Sequence, residues 1–178
     1  MKNIPADEEA GALNRLEAAI QEHWEPIYAV LFRILGDRFE AEDLALETFW
    51  VLYQKPPAST DQLGSWLYRV ATNLGLNALR AARRRRTREQ QAASLDSPGG
   101  TENPAVEVEH RLERQRARRV LAEMKDRDAR LLVLRHSGLA YAEIAEVLGV
   151  APGSVGTLLA RAESNFKRRY QTLEERGG

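Results

Sequence analysis

Apolar residues in this chain recur every three or four positions, and no segment alternates with period two, a pattern that restricts the fold to packed helices. The first run is Leu13, Leu16, Ile20, Trp24, Ile27, Leu31 and Leu35. Pro26 inside it predicts a split or kink, because proline lacks the amide donor and its ring crowds the preceding turn. Gly36 predicts the end of the run. Asp37 with Glu40 reads as a capping box opening a second helix that continues through Phe49 and Leu52. Lys55 to Gly64, with Pro56 and Pro57, reads as a loop. Ser65 predicts the N-cap of a long third helix with the apolar stripe Leu67, Val70, Ala71, Leu74 and Ala78. The expected fold class is all-α.

Between Gln91 and Asn103 the periodicity lapses, and Ser94, Ser97, Pro98, Gly99 and Gly100 give a linker composition. Two small helical domains are therefore expected, residues 1–90 and 104–178, joined by a flexible linker at 91–103. With 43% hydrophobic residues, each can bury a core with little surplus. Helical patterning resumes with Asn103 as N-cap, Pro104 in the first turn, and Val108, Leu112 and Val120 on one face. A further helix holds Leu131 and Leu134 and stops at Gly138.

Tyr141 to Arg161 carries a more specific pattern. Ile144, Leu148, Val150, Val155 and Leu158 are apolar where two short helices crossing steeply must bury side chains against each other. Ala145 is small where the helices approach. Gly149 falls where the chain turns sharply, a place for positive φ. This is a helix-turn-helix. Its second helix divides into a core side, Val155, Leu158, Leu159, Ala162 and Phe166, and an outer side, Ser154, Thr157, Arg161, Ser164 and Arg168. The outer side suits a DNA major groove, with Arg161, Lys167 and Arg168 near phosphates. A solvated face that touches nothing is the plain alternative.

The formal charge is zero, but it is segregated along the chain. Residues 1–65 carry 5 basic and 12 acidic side chains, and residues 66–90 carry 7 and 1. Residues 91–110 carry 0 and 4, and residues 111–178 carry 14 and 9. Alternating acidic and basic surfaces suggest two kinds of partner, a positively charged protein and a nucleic acid. On the third helix Arg69, Asn73, Asn77, Arg80, Arg84 and Arg88 form a ladder opposite the apolar stripe, and Arg83 to Arg86 thicken its end. Guanidinium and amide groups in such a row suit a nucleic-acid backbone with some base-edge contact. Trp66 and Tyr68 open that helix and could stack on unstacked bases or simply join the core. On the preceding helix Glu40, Asp43 and Glu47 make one acidic stripe.

Enzymatic chemistry finds little support. Cysteine is absent, which excludes a disulfide framework and thiolate chemistry. His23, His110 and His136 lie in different segments without ligand spacing, and no nucleophile or second ligand cluster accompanies the acidic stripe. No cofactor, metal or catalytic residue is expected. No apolar run approaches the roughly 20 residues that span a bilayer, so the expected location is the cytoplasm, without membrane insertion.

Taken together, the segments resemble the extracytoplasmic-function sigma factors, a branch of the bacterial sigma-70 family. Ala41-Glu42-Asp43-Leu44-Ala45-Leu46-Glu47-Thr48-Phe49 resembles region 2.2. Trp66-Leu67-Tyr68-Arg69-Val70-Ala71-Thr72-Asn73, followed by Leu79-Arg80, resembles regions 2.3 and 2.4, and Tyr141 to Ala162 resembles region 4.2. The resemblance implies that Asp43, Leu46 and Glu47 bind core RNA polymerase at the beta-prime coiled coil. It implies that Trp66, Arg69, Asn73, Asn77, Arg80, Arg83 and Arg84, with the Lys55–Gly64 loop, bind the -10 element of promoter DNA and hold a flipped base. Ser154, Thr157, Arg161, Lys167 and Arg168 would read the -35 element while their domain docks on the beta flap. The acidic linker would thread toward the RNA exit path, and an anti-sigma factor is expected as a further partner.

Three positions depart from the family pattern. Leu46 stands where Gln is usual, Asn77 where Asp is frequent, and Gly156-Thr157-Leu158-Leu159 where Lys or Arg is common. The competing reading is a stand-alone helix-turn-helix regulator that binds an operator as a dimer and needs no polymerase. An RNA-binding or adaptor protein using the arginine tract is a further alternative, but it leaves the helix-turn-helix unexplained.

Overall fold

A computed structural model describes residues 6–92 and 105–177. Among them are seven α-helices and no strand: α1 (Ala6–Leu35), α2 (Arg38–Gln54), α3 (Leu63–Ala92), α4 (Ala105–Glu123), α5 (Asp126–His136), α6 (Tyr141–Leu148) and α7 (Val155–Gly177), the last preceded by a 3-10 turn at Pro152–Ser154. The all-α expectation holds. Asn103 and Pro104, expected to open the fourth helix, lie outside the described residues.

In the N-terminal bundle, α1, α2 and α3 close around Ile27, Val30, Leu31, Ile34, Ala41, Ala45, Phe49, Leu67, Ala71 and Leu76. Trp24 stacks on Phe49 with ring centroids 6.0 Å apart, joining α1 to α2. Gly75 lets α3 approach α1 closely, since a Cβ there would meet Ile34 Cδ1 at 3.0 Å and Leu31 Cδ2 at 3.1 Å. The two buried hydroxyls, Thr48 and Thr72, each donate to the carbonyl four residues earlier, Leu44 O at 2.8 Å and Tyr68 O at 2.7 Å. Neither is left unpaired in the core.

Gly36 ends α1 with φ +73. It is constrained a second time, because a Cβ would collide with the Arg118 guanidinium that lies against it. Asp37 caps α2, its Oδ1 accepting from the amides of Phe39 and Glu40 at 2.9 Å. Of the expected capping box, Glu40 supplies its amide rather than its carboxylate.

Three local expectations are corrected. Pro26 does not split the first helix, and α1 is one 30-residue helix with the proline inside it. Ser65 is not an N-cap: α3 begins at Leu63, whose amide bonds Thr60 O, and Ser65 lies in its first turn with its hydroxyl turned elsewhere. Leu13 and Leu112 follow the right period but stay about half exposed. Each sits toward the start of a long helix, where a partner helix does not cover that turn.

The C-terminal bundle packs α4, α5, α6 and α7 around Val120, Met124, Leu131, Leu134, Ile144, Val147, Val155, Leu159 and Ala162. The helix-turn-helix forms as expected. Gly149 takes φ 65, ψ 41 and closes α6, while the Val150 amide returns to Ala145 O at 3.0 Å. The second helix, counted from Pro152, leaves the first at 106°. Buried Ala145 permits that close crossing. No single helix among the described residues is long and apolar enough to cross a membrane.

Candidate functional site

Three surfaces carry the residues singled out from the sequence. On α2, Glu40, Asp43 and Glu47 are exposed as a stripe, as their spacing requires. The helix adds what the acidic reading missed. Phe39, Leu46 and Trp50 stand on the same side as Asp43 and are 70%, 54% and 54% exposed. Steps of four, three and four return each residue to nearly the same direction. Trp50 stacks on Tyr53 at 5.5 Å, and the Arg38 guanidinium covers Phe39 at 5.6 Å. A carboxylate set in an exposed aromatic and aliphatic seam has the composition of a protein-docking surface, since large apolar side chains left in water mark contact sites.

The long helix α3 carries the second set. Asn73, Asn77 and Arg84 are exposed and face away from the core. Trp66 and Tyr68 are half-buried against the core, with one side open. Burial raises the Tyr68 phenol above its ordinary pKa, nearby Glu143 adds to the rise, and Arg33 opposes it. Arg69, Arg80 and Arg83 turn toward the C-terminal bundle. Arg69 Nε donates to Val147 O at 2.8 Å and its Nη2 to Glu146 O at 2.8 Å. Those carbonyls end α6, where a cation is favoured by the helix dipole. Arg80 meets Asp126 Oδ1 at 2.5 Å and Met124 O at 3.2 Å, and Arg83 meets Glu123 Oε1 at 2.6 Å. The Ser65 hydroxyl donates to Glu146 Oε2 at 2.9 Å.

The third set lies on the second helix of the helix-turn-helix. Thr157, Arg161, Ser164, Lys167 and Arg168 are exposed on one side, while Val155, Leu159 and Ala162 are buried on the other. Leu158 and Phe166 are only half-buried. Ser154 is spent on the turn, its hydroxyl donating to Ala151 O at 2.7 Å. The Arg168 guanidinium donates to Asn165 Oδ1 at 3.2 Å. Arg161 and Lys167 are exposed cations on this outer side. The three histidines stay apart: His23 faces Glu22 at 3.8 Å, His110 faces Glu113 at 3.3 Å, and His136 lines a cleft.

A helical bundle with a docking seam and an arginine row, followed by a helix-turn-helix with a polar outer face, defines a DNA-binding protein that also engages a protein partner. Family models agree and go further. Residues 19–85 match sigma-70 region 2, and residues 114–165 match sigma-70 region 4. The extracytoplasmic-function RNA polymerase sigma factor SigL of Mycobacterium tuberculosis is 29% identical over 164 residues, covering 89% of this chain and 90% of SigL. SigJ of the same organism is 29% identical over 153 residues, covering 81% of this chain and 46% of SigJ. SigW of Bacillus subtilis is 26% identical over 159 residues, covering 83% of this chain and 84% of SigW. The chain belongs to the sigma-70 family of RNA polymerase sigma factors, in its extracytoplasmic-function branch. The stand-alone regulator considered from the sequence loses its footing.

Proposed function

We propose that this chain binds core RNA polymerase through the outer face of α2 and directs promoter-specific initiation through α3 and the helix-turn-helix. The observation that supports this best is the adjacency, within one small bundle, of an exposed apolar-acidic face and a row of guanidinium groups. A stand-alone operator binder has no use for the first. Asp43, Leu46 and Glu47 form the polymerase contact, joined by Phe39 and Trp50. Leu46 in place of a polar residue makes that contact more apolar, so desolvated area carries more of its affinity.

Trp66, Arg69, Asn73, Asn77, Arg80, Arg83 and Arg84 serve the -10 element. Asn73 and Asn77 can pair with adenine edges, the arginines hold phosphates, and the open side of Trp66 can stack on an unpaired base. Ser154, Thr157, Arg161, Lys167 and Arg168 serve the -35 element. With three cations among these five residues, this face supplies positioning more than affinity. The division of labour follows residues 1–90 and 104–178, with the intervening acidic segment as linker. An anti-sigma protein and a cytoplasmic location complete the reading, and both rest on the family alone. The chain acts by binding, without catalysis of its own.

Gel filtration with purified core polymerase tests the first step. The chain is expected to co-elute with core enzyme, and separate elution at micromolar concentration contradicts the assignment of α2.

A further inference from the structure

We propose that the cleft between α1 and helices α4, α5 and α7 binds a nucleotide, its aromatic wall taking the base and its guanidinium wall the phosphates. No residue of α2 or α3 lines this cleft. The site is therefore separate from the faces assigned to polymerase and promoter, and it stands whether or not those assignments do.

The cleft has a volume of about 1390 Å³. Small-ligand pockets run from about 300 to 1,000 Å³, so a whole nucleotide fits without displacing a side chain. One wall is flat and aromatic. Tyr28 and Phe32 of α1 stack with ring centroids 6.1 Å apart and planes 11° apart, and Phe32 is 44% exposed although it sits beside a packed core. Phe166 of α7 also lines the space. An exposed ring backed by a second ring is a stacking platform for a planar base.

The facing wall is α4. Arg111, Arg114 and Arg118 all line the cleft, at steps of three and four that set them on one side of the helix. They span about 10 Å at 1.5 Å per residue. Arg118 lies against Gly36, and its Nε is buried with no hydrogen-bond partner. Burial lowers its pKa, and the neighbouring Arg114 charge lowers it further. Among the described residues neither Arg114 nor Arg118 forms an ion pair. Two adjacent guanidiniums, one of them partly desolvated, are stabilised by an anion, and a phosphate meets their planar donor pattern with two oxygens at once.

Two exposed carboxylates, Glu25 and Glu163, line the same cleft. They narrow the choice of ligand. An acidic peptide would be repelled by them, and a fatty acid would bring them no donor. A nucleotide offers phosphate oxygens to the guanidiniums and ribose hydroxyls to the carboxylates, together with a flat ring for Phe32.

Isothermal titration of the full chain with ATP and with GTP, and with inorganic pyrophosphate as a base-free probe, tests the site. At least one nucleotide should bind at one per chain. Arg114→Gln with Arg118→Gln should weaken that binding roughly tenfold or more, since hydrogen bonds to charged groups are the stronger ones. Arg119→Gln with Arg127→Gln makes the same charge change at exposed positions outside the cleft and should leave binding as it was. Phe32→Ala should weaken the nucleotide about fivefold, the lower end of a base–aromatic contact, and leave pyrophosphate unaffected. If the double arginine variant does not fold, Arg114→Gln alone, at an exposed position, should weaken the nucleotide about threefold. Absence of saturable binding by either nucleotide up to millimolar concentration overturns the proposal. So does an equal loss in the Arg119 and Arg127 control, which would mark general attraction of anions, and so does nucleotide affinity indifferent to Phe32→Ala.

Discussion

The outer faces of α2 and α3 belong to neighbouring helices of one bundle, yet they meet opposite fates. Phe39, Leu46 and Trp50 surround Asp43 in open solvent, and no other part of the described chain covers them. Arg69, Arg80 and Arg83 are already bound to oxygens of the second bundle. The first face is open to solvent, and the second is partly paired within the chain. The difference teaches that neighbouring helices of one bundle can leave one outer face to solvent and spend the other on contacts within the chain.

The largest expected effect breaks the comparison on the α2 side. Leu46→Ala with Trp50→Ala should weaken core polymerase binding by about thirtyfold, the scale of an interface hot spot of about 2 kcal/mol. The thermal midpoint should hardly move, because both side chains are more than half exposed. Fluorescence titration with core enzyme, together with a melting curve, checks both statements. Next comes Asp43→Ala with Glu47→Ala, expected to cost about tenfold in the same titration, or about 1.4 kcal/mol. DNA binding by the free chain should stay as it was.

Asn77→Ala with Arg84→Ala sharpens the other side. Both residues are exposed and lie on α3 rather than α2, so core affinity should be unchanged while promoter opening, followed by permanganate reactivity, falls roughly fivefold, or by about 1 kcal/mol. Loss of core binding instead would assign the row to the wrong partner. The smallest effect concerns the helix-turn-helix. Arg161→Ala should reduce the slope of log affinity against log salt by about one, with little change in sequence preference.

Much of this was legible in the sequence. Gly36, Asp37 and Gly149 announced their turns because positive φ and side-chain capping leave few residue choices. The buried set of the helix-turn-helix was legible because two short crossing helices demand apolar and small residues at fixed steps. The split expected at Pro26 does not occur, since a proline in a 30-residue helix costs one hydrogen bond that the packing of Ile27, Val30 and Leu31 offsets. The apolar seam of α2 was hidden because that helix carries apolar residues on two sides. Ala45 and Phe49 face the core while Leu46 and Trp50 face out, and periodicity alone does not say which side waits for another molecule. The contact between the bundles left no trace in sequence, because Arg80 and Asp126 are brought together only by their packing.

The central claim, that this chain confers promoter-directed initiation, is tested most directly by transcription in vitro from genomic DNA fragments with purified core polymerase. The account predicts discrete transcripts that depend on the chain and disappear with Asp43→Ala and Glu47→Ala combined. Tight DNA binding by the free chain, with no transcript at any ratio to core enzyme, would contradict it.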